Sequence, residues 1–534
     1  MKRHRQACVA ATLALVAAAV GMRAAADEPK HGGILRMYHR ESPASLSIHE
    51  EATFSTNVPG MPIFNNLVEF DQHVAQNRLD TIVPDLAESW AWSADNTKLT
   101  FKLHQGVKWH DGVPFTAKDV KCTWDMLMGK STAKFRKNPR KSWYANVTDI
   151  TTNGDFEVTF NLKRRQPALL LLLASGYSPV YPCHVSPAEM RSHPIGTGPF
   201  KFVSFKENDS ITLTRNPDYW KKDRPYLDGI QFTIVPNRST AILAFVAGKF
   251  DMTFPTEVTV PLLKDIKSQD PQAICDLAQT NVSTNLLVNR DAPPFDKPEL
   301  RQAMALTLDR KAYVDTLAEG KASIGGTMLP TPEGVWGMPS AMLQTIPGYG
   351  PDIEKNRADA RAIMTKLGYG PDKPLKFKVS TRNLAVYRDP AVILIDQLKQ
   401  IYMDADLDVV ETGSWFAKVA RKDYAVGLNL TGNAVDDPDQ NFYENFACGS
   451  ERNYTQYCNH DLEKMFDEQS MELDPNKRKE LVWQIDKKLQ EDVARPIIFF
   501  PEQATCWKPY VKGVTVMVNS SYNGYRYEDV WLDK

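Results

Sequence analysis

The chain has 534 residues, with 64 Lys and Arg against 65 Asp and Glu, and its formal charge of −1 offers no basic surface to nucleic acid or to an anionic membrane. Single hydrophobic cores stop growing at roughly 250–300 residues, so a chain of this length is expected to form two or more lobes.

The first element is a signal peptide, residues 1-26. Lys2, Arg3 and Arg5 precede an apolar run from Ala7 to Val20, and Ala24-Ala25-Ala26 precedes Asp27 and Glu28. A charged head, a short apolar middle and a small-residue end mark a secretory leader cleaved near Ala26. The run is shorter than the ~20 residues of a membrane-spanning helix, and no comparable stretch follows, so a soluble periplasmic protein is expected. Cys8 stands at the start of the apolar segment instead of closing it, which argues against a lipid anchor. Cleavage also removes Lys2, Arg3, Arg5 and Arg23, leaving a charge of about −5.

Further along, Leu99 to Leu103 and Glu157 to Leu162 alternate apolar and polar residues, as strands with one buried face do. Thr116 suits the cap of a helix running through Val120. A helix is expected from Pro298 to Leu317, with Leu300, Met304, Leu308 and Val314 facing a core. Another opens at Asp389-Pro390, with Asp389 as cap, Pro390 in first helical position and Val392, Ile395, Leu398 and Tyr402 as its apolar stripe. Strands and helices alternate without repeat, heptad or low-complexity linker, giving an α/β class.

Six cysteines follow the leader. Cys448 and Cys458 enclose the polar loop Gly449 to Tyr457 and are expected to form a disulfide in an oxidising compartment, worth about 3 kcal/mol at most for so short a loop. Cys122, Cys183, Cys275 and Cys506 either pair or stay thiols, and the sequence leaves both open.

Catalytic signatures fail. Gly129-Lys130-Ser131 has Trp124 where a phosphate loop needs its leading glycine, and Gly196-Thr197-Gly198 has Lys201 where a dinucleotide fingerprint needs its third. Neither a Gly-x-Ser-x-Gly elbow nor a His-Glu-x-x-His pair occurs. His104, His110 and His193 read as surface or structural groups, and no metal, cofactor or enzymatic activity is expected. Distant paired carboxylates leave a secreted hydrolase as a residual alternative.

The segment Val83-Pro84-Asp85-Leu86-Ala87-Glu88-Ser89-Trp90, followed by Leu99 to Leu103 and Gly106-Val107-Lys108-Trp109-His110-Asp111-Gly112 through Asp119-Val120, closely resembles the signature of the family 5 extracellular solute-binding proteins. Gly196 to Phe200, Arg215 to Trp220, Ala247 to Asp251, Arg301 to Ala303, Asp309-Arg310, Leu329-Pro330 and Asp474 to Trp483 follow in the order that family has them. The resemblance implies a two-lobed type II periplasmic binding protein clamshell with an extra subdomain inserted in the first lobe. Lobe 1 is expected over 27-280 and 508-534, its insert over about 75-195, and lobe 2 over 281-507.

It also implies the function: capture of a small polar, carboxylate-bearing solute or peptide between the lobes, as a monomer, for delivery to ABC importer permease subunits in the inner membrane. A sensing or chaperone-like binding module is the alternative. In the dipeptide-binding branch an Arg after a second-lobe strand holds the ligand carboxylate, and Arg382 stands at the similar place. That branch also uses an Asp for the ligand ammonium, where this chain has Asn433, unless the loop is one residue longer and Asp436 substitutes. Trp415 resembles a family position near the cleft, where it either stacks on a ligand or packs in the core. Thr53, Phe54 and Asn57 belong to an early loop directed at the cleft, and Tyr387 and Arg388 precede the Asp389 helix.

Overall fold

Alternation becomes pairing in the computed structural model, which describes residues 28–534, so the leader and its cleavage point lie outside the described residues. Leu99, Phe101 and Leu103 turn inward from the strand Lys98–Leu103, and Val158, Phe160 and Leu162 do so from the antiparallel strand Glu157–Leu162. Phe101 and Phe160 meet edge to face at 5.7 Å. With Ala87–Trp92 and Val147–Thr152 these strands make a four-stranded sheet, and the helix Ala117–Leu127 packs on it with Trp124 against Phe160. The Asp119 carboxylate accepts from the Thr116 N–H at the start of that helix.

A second four-stranded sheet sets Ile34–His39 parallel to Gly229–Ile234, followed by Ser210–Arg215 and Phe200–Lys206. One continuous core joins both sheets to the C-terminal residues around Trp507 to Leu532. The third sheet has seven strands and its own core. Leu375–Arg382 runs parallel to Met403–Val410 and Val426–Gly432, while Val282–Val288 is antiparallel to the last of these. The helix Ala385–Lys399 connects the two parallel strands and buries Leu394 and Leu398 against them.

The long strand Ile497–Trp507 joins the two bodies of core, pairing with Ile274–Gln279 at one end and Val282–Val288 at the other. Cys275 lies opposite Cys506 in that ladder and is bonded to it. Cys122 is bonded to Cys183 and Cys448 to Cys458.

Two helices differ from the sequence expectation. The stretch Pro298 to Leu317 is two helices, Pro298–Leu306 and Arg310–Ala318. The break comes where the Asp309 carboxylate caps the second helix by accepting from the Ala312 N–H at 3.0 Å, while Thr307 and Asp309 bond Gln397. Ala385–Lys399 starts one turn before Asp389, so Pro390 is interior and Asp389 is no cap. Its buried face runs through Tyr387, Ala391, Leu394 and Leu398, whereas Val392 is 56% exposed and Tyr402 lies beyond the helix end.

Gly196 and Gly198 pass directly over the backbone of Ile63. A Cβ on Gly196 would lie 1.8 Å from the Ile63 carbonyl oxygen, and the Gly198 N–H donates to that same oxygen at 2.9 Å.

Candidate functional site

Strand ends position the site. In open α/β sheets ligands bind beyond the carboxyl ends of strands, and Ile34–His39 delivers Arg40 and Glu41 there, while Leu375–Arg382 and Val426–Gly432 deliver Arg382 and Gly432. Between the two bodies of core they enclose a narrow cavity of about 40 Å³, lined by Arg40, Thr53, Phe54 and Thr256 on one side and Arg382, Tyr387, Phe416 and Gly432 on the other, with Arg452, Gln503, Ser521 and Tyr522 completing it. Phe54 meets Tyr522 at 5.2 Å and Tyr525 at 5.4 Å, both edge to face. Gly432 lies directly under the Tyr522 phenol: a Cβ there would lie 1.8 Å from the Tyr522 hydroxyl, so any side chain at this position has to displace that ring.

The charges are paired across the cavity. Arg382 Nη2 donates to Glu41 Oε1 at 2.6 Å, its Nε and Nη2 donate to the Thr412 hydroxyl oxygen at 3.0 and 2.8 Å, and Nη1 donates to the Tyr387 hydroxyl. Glu41 also accepts from the Ser55 and Thr412 hydroxyls. Burial by itself would raise the Glu41 pKa, but Arg382 and Arg40, with the two hydroxyls, bring it down to about 2. Arg40 donates to Glu257 Oε2 at 3.3 Å and lies over the Phe254 ring. Burial lifts the Glu257 carboxyl above its usual value, and Arg40 pulls it back only in part. Arg452 pairs with the fully buried Glu444.

Of the residues singled out in the sequence, Thr53, Phe54, Arg382 and Tyr387 come together on this cavity. Thr53 also caps the helix Phe54–Gly60, accepting from the Thr56 N–H at 3.1 Å. Asn57 is buried in that helix and donates to the Gly176 carbonyl oxygen. Trp415 is fully buried with Leu287, Val419, Tyr424 and Tyr454, and its neighbour Phe416 takes the cavity face. Asn433 bonds Asn281 through both backbone and side chain. Asp436 accepts from the Val335 N–H at 3.1 Å, and its backbone oxygen accepts from the Trp336 indole. The next residue, Asp437, caps the helix Pro438–Asn445 and is held by both Nη atoms of Arg478 at 2.8 and 2.9 Å. Arg388 is exposed.

The three histidines sit in bonding or surface roles. His110 bonds the Gly198 carbonyl oxygen at 3.0 Å, and burial lowers its pKa to about 4; His104 lies beside Glu88, and His193 is exposed. The Cys448 and Cys458 sulfurs lie within 4 Å of His460 but are joined to each other, so no thiolate is offered there.

Arg40, Glu41, Thr412, Phe416, Arg452, Gln503 and Tyr522 went unremarked in the sequence. Arg40 and Glu41 carried a signal, a charged pair directly after the strand Ile34–His39; Gln503 lies within the strand Ile497–Trp507 and the others in loops or on a helix face, with no local mark.

Asp436 supports a pH prediction. Burial pushes its carboxyl up to about 7, and the Val335 N–H offsets only part of this. A carboxyl whose pKa is higher in the folded than in the unfolded state, where it is ~3.9, contributes stability that is complete below ~3.9 and lost as pH rises through the folded value. Asp486, raised by burial to about 6, acts the same way at lower pH. The melting temperature is therefore expected to fall between about pH 4 and 7 and to level off above it, and Asp436→Asn to flatten that fall. An unchanged slope in the variant refutes the assignment.

Residues 81–453 match the sequence pattern of the bacterial extracellular solute-binding proteins, family 5 middle. The probable di/tripeptide-binding protein 5 of Pseudomonas aeruginosa is 24% identical over 523 residues, which cover 92% of this chain and 94% of that protein. Among solved structures, the periplasmic binding protein DppA of Helicobacter pylori with the peptide STSA superposes with a TM-score of 0.83 at 22% identity, covering 95% of this chain and 99% of that one. The AgaA binding protein of A. tumefaciens R10 with agropinic acid does so with a TM-score of 0.81 at 23% identity, covering 94% and 99%.

Proposed function

Since the chain belongs to family 5 of the bacterial extracellular solute-binding proteins, we propose that it captures a small polar solute or peptide between its two lobes in the periplasm and hands it to the permease subunits of an ABC importer. The fold is the two-lobed type II clamshell of that family. The observation that carries the reading is the cavity itself, whose polar and aromatic groups come in comparable number from both sides. Such a cavity excludes water on closure, which strengthens each hydrogen bond made inside it.

Thr53, Phe54, Arg382 and Tyr387, with Arg40, Phe416 and Tyr522, are the contacts we assign. Lobe 1 comprises 27–280 and 508–534 and lobe 2 comprises 281–507, the exported protein acting as a monomer after removal of its leader. The neighbours' ligands, a peptide in one and agropinic acid in another, leave the solute to be found on this protein directly.

Two measurements test this. Denaturing the purified protein and analysing the supernatant by mass spectrometry is expected to release a bound solute. Adding that solute back to stripped protein is expected to shrink the radius of gyration in X-ray scattering, because two chain crossings allow hinge closure. Identical curves with and without a solute that binds in calorimetry would refute capture by closure.

A further inference from the structure

Arg382 stands where the resemblance to dipeptide-binding proteins puts the holder of a ligand carboxylate, yet its guanidinium already holds one. Glu41 reaches it from the other side of the cavity, with Oε1 2.6 Å from Nη2. The Arg382 side chain is 3% exposed and that of Glu41 9%, so this is not a screened surface pair of little consequence. It is a short charge-assisted contact between buried groups. Glu41 is satisfied on both oxygens, by Arg382 and the Ser55 hydroxyl on Oε1 and the Thr412 hydroxyl on Oε2.

The other arginines of the lining repeat the arrangement, Arg40 with Glu257 at 3.3 Å and Arg452 with Glu444. Each cationic side chain facing the cavity is thus matched by a carboxylate of the protein itself. The remaining polar side chains there, Gln503, Ser521 and Tyr522 among them, carry no charge. A ligand acid arriving at Arg382 would have to displace Glu41 and leave it buried beside a second anion, an arrangement that like-charge repulsion and desolvation both oppose.

We propose that Glu41 is a specificity-determining residue: it fills the guanidinium fork of Arg382 in place of a ligand carboxylate, so that the cleft selects solutes whose group at that place is uncharged, such as a carboxamide, a blocked peptide end or a hydroxylated chain. The proposal rests on the reading of this cavity as the solute site, and deepens it by naming the chemistry admitted next to Arg382.

The test uses the full exported protein and two kinds of probe. Acetate is titrated at constant ionic strength while the melting temperature is followed. Glu41→Ala empties the fork, so it is expected to melt below wild type and to recover saturably with acetate, because a ligand that binds only the folded state stabilises it. Wild type, whose fork is filled, is expected not to respond.

The second probe is the peptide trialanine as free acid and as C-terminal amide, measured by calorimetry. Wild type is expected to prefer the amide by about tenfold or more, a difference of about 1.4 kcal/mol, and Glu41→Gln, which keeps the shape and removes the charge, to lose or invert that preference. The Gln variant also carries the test if the Ala variant does not fold. Acetate acting equally on wild type and Glu41→Ala, or on neither, overturns the proposal, as does wild type that favours the free acid. If neither peptide binds any variant while acetate rescues Glu41→Ala alone, the place of Glu41 stands and the peptide reading of the solute falls.

Discussion

Arg382→Met is expected to weaken binding of the native solute on the order of a hundredfold or more, and to leave the lobes further apart in solution. Methionine keeps much of the volume and removes the cation, so in the closed form Glu41 would stay buried with Arg40, at 3.8 Å, as its nearest remaining cation. Removing one partner of a buried pair costs about 3–5 kcal/mol, because an uncompensated charge is left inside, and each 1.4 kcal/mol is a factor of ten in affinity. The pair spans the cleft, however, and the protein can relieve the cost by opening and returning Glu41 to water. Denaturant unfolding is therefore expected to register much less than the full penalty, whereas calorimetry and the scattering radius register most of it. A compact variant with wild-type affinity would place Arg382 outside the machinery of closure.

Gly196→Ala is expected to destabilise the protein by about 4 kcal/mol or more, at the extreme of single substitutions. The new methyl would meet the Ile63 carbonyl oxygen at 1.8 Å and its carbon at 2.7 Å. Backbone on both sides prevents an easy retreat, since the His110 N–H donates to the Gly196 oxygen at 2.9 Å and the Gly196 N–H donates back to His110 Nδ1 at 3.2 Å. The contrast is Gly413→Ala, in the helix Thr412–Ala420, where nothing lies within 4 Å of the added carbon. That change should be neutral or stabilising by up to ~1 kcal/mol, the helix preference of Ala over Gly. Equal midpoints for the two variants in a denaturant titration would refute the packing argument.

These glycines also mark what can be read from sequence. Gly196-Thr197-Gly198 is visible as a motif because only a residue without a side chain lets two backbones touch, and the strands Lys98–Leu103 and Glu157–Leu162 are visible because a buried face imposes a period of two. The break at Thr307 to Asp309 was hidden, since Met304 and Val314 stay buried on either side of it, Leu308 stays buried within it, and the apolar pattern reads straight through. Its one mark was Asp309, a side chain suited to capping. Trp415 and Phe416 show a finer limit: neighbours on a helix point about 100° apart, so an error of one position exchanges a core ring for a cleft ring. The pairing of Glu41 with Arg382 was beyond local reading, because the two lie 341 residues apart and only the tertiary fold brings them together.

The bond between Cys275 and Cys506 has a consequence for how the molecule survives damage. It joins positions 231 residues apart at neighbouring points of one ladder, so the whole stretch between them, including Arg382, Phe416 and Gly432, is a covalent ring closed at its base. A protease that nicks the ring once leaves both pieces fastened to the same body. Such a molecule keeps its apparent mass on a non-reducing gel and separates into fragments only when a thiol reductant is added. Half of the cleft can therefore be cut without being shed.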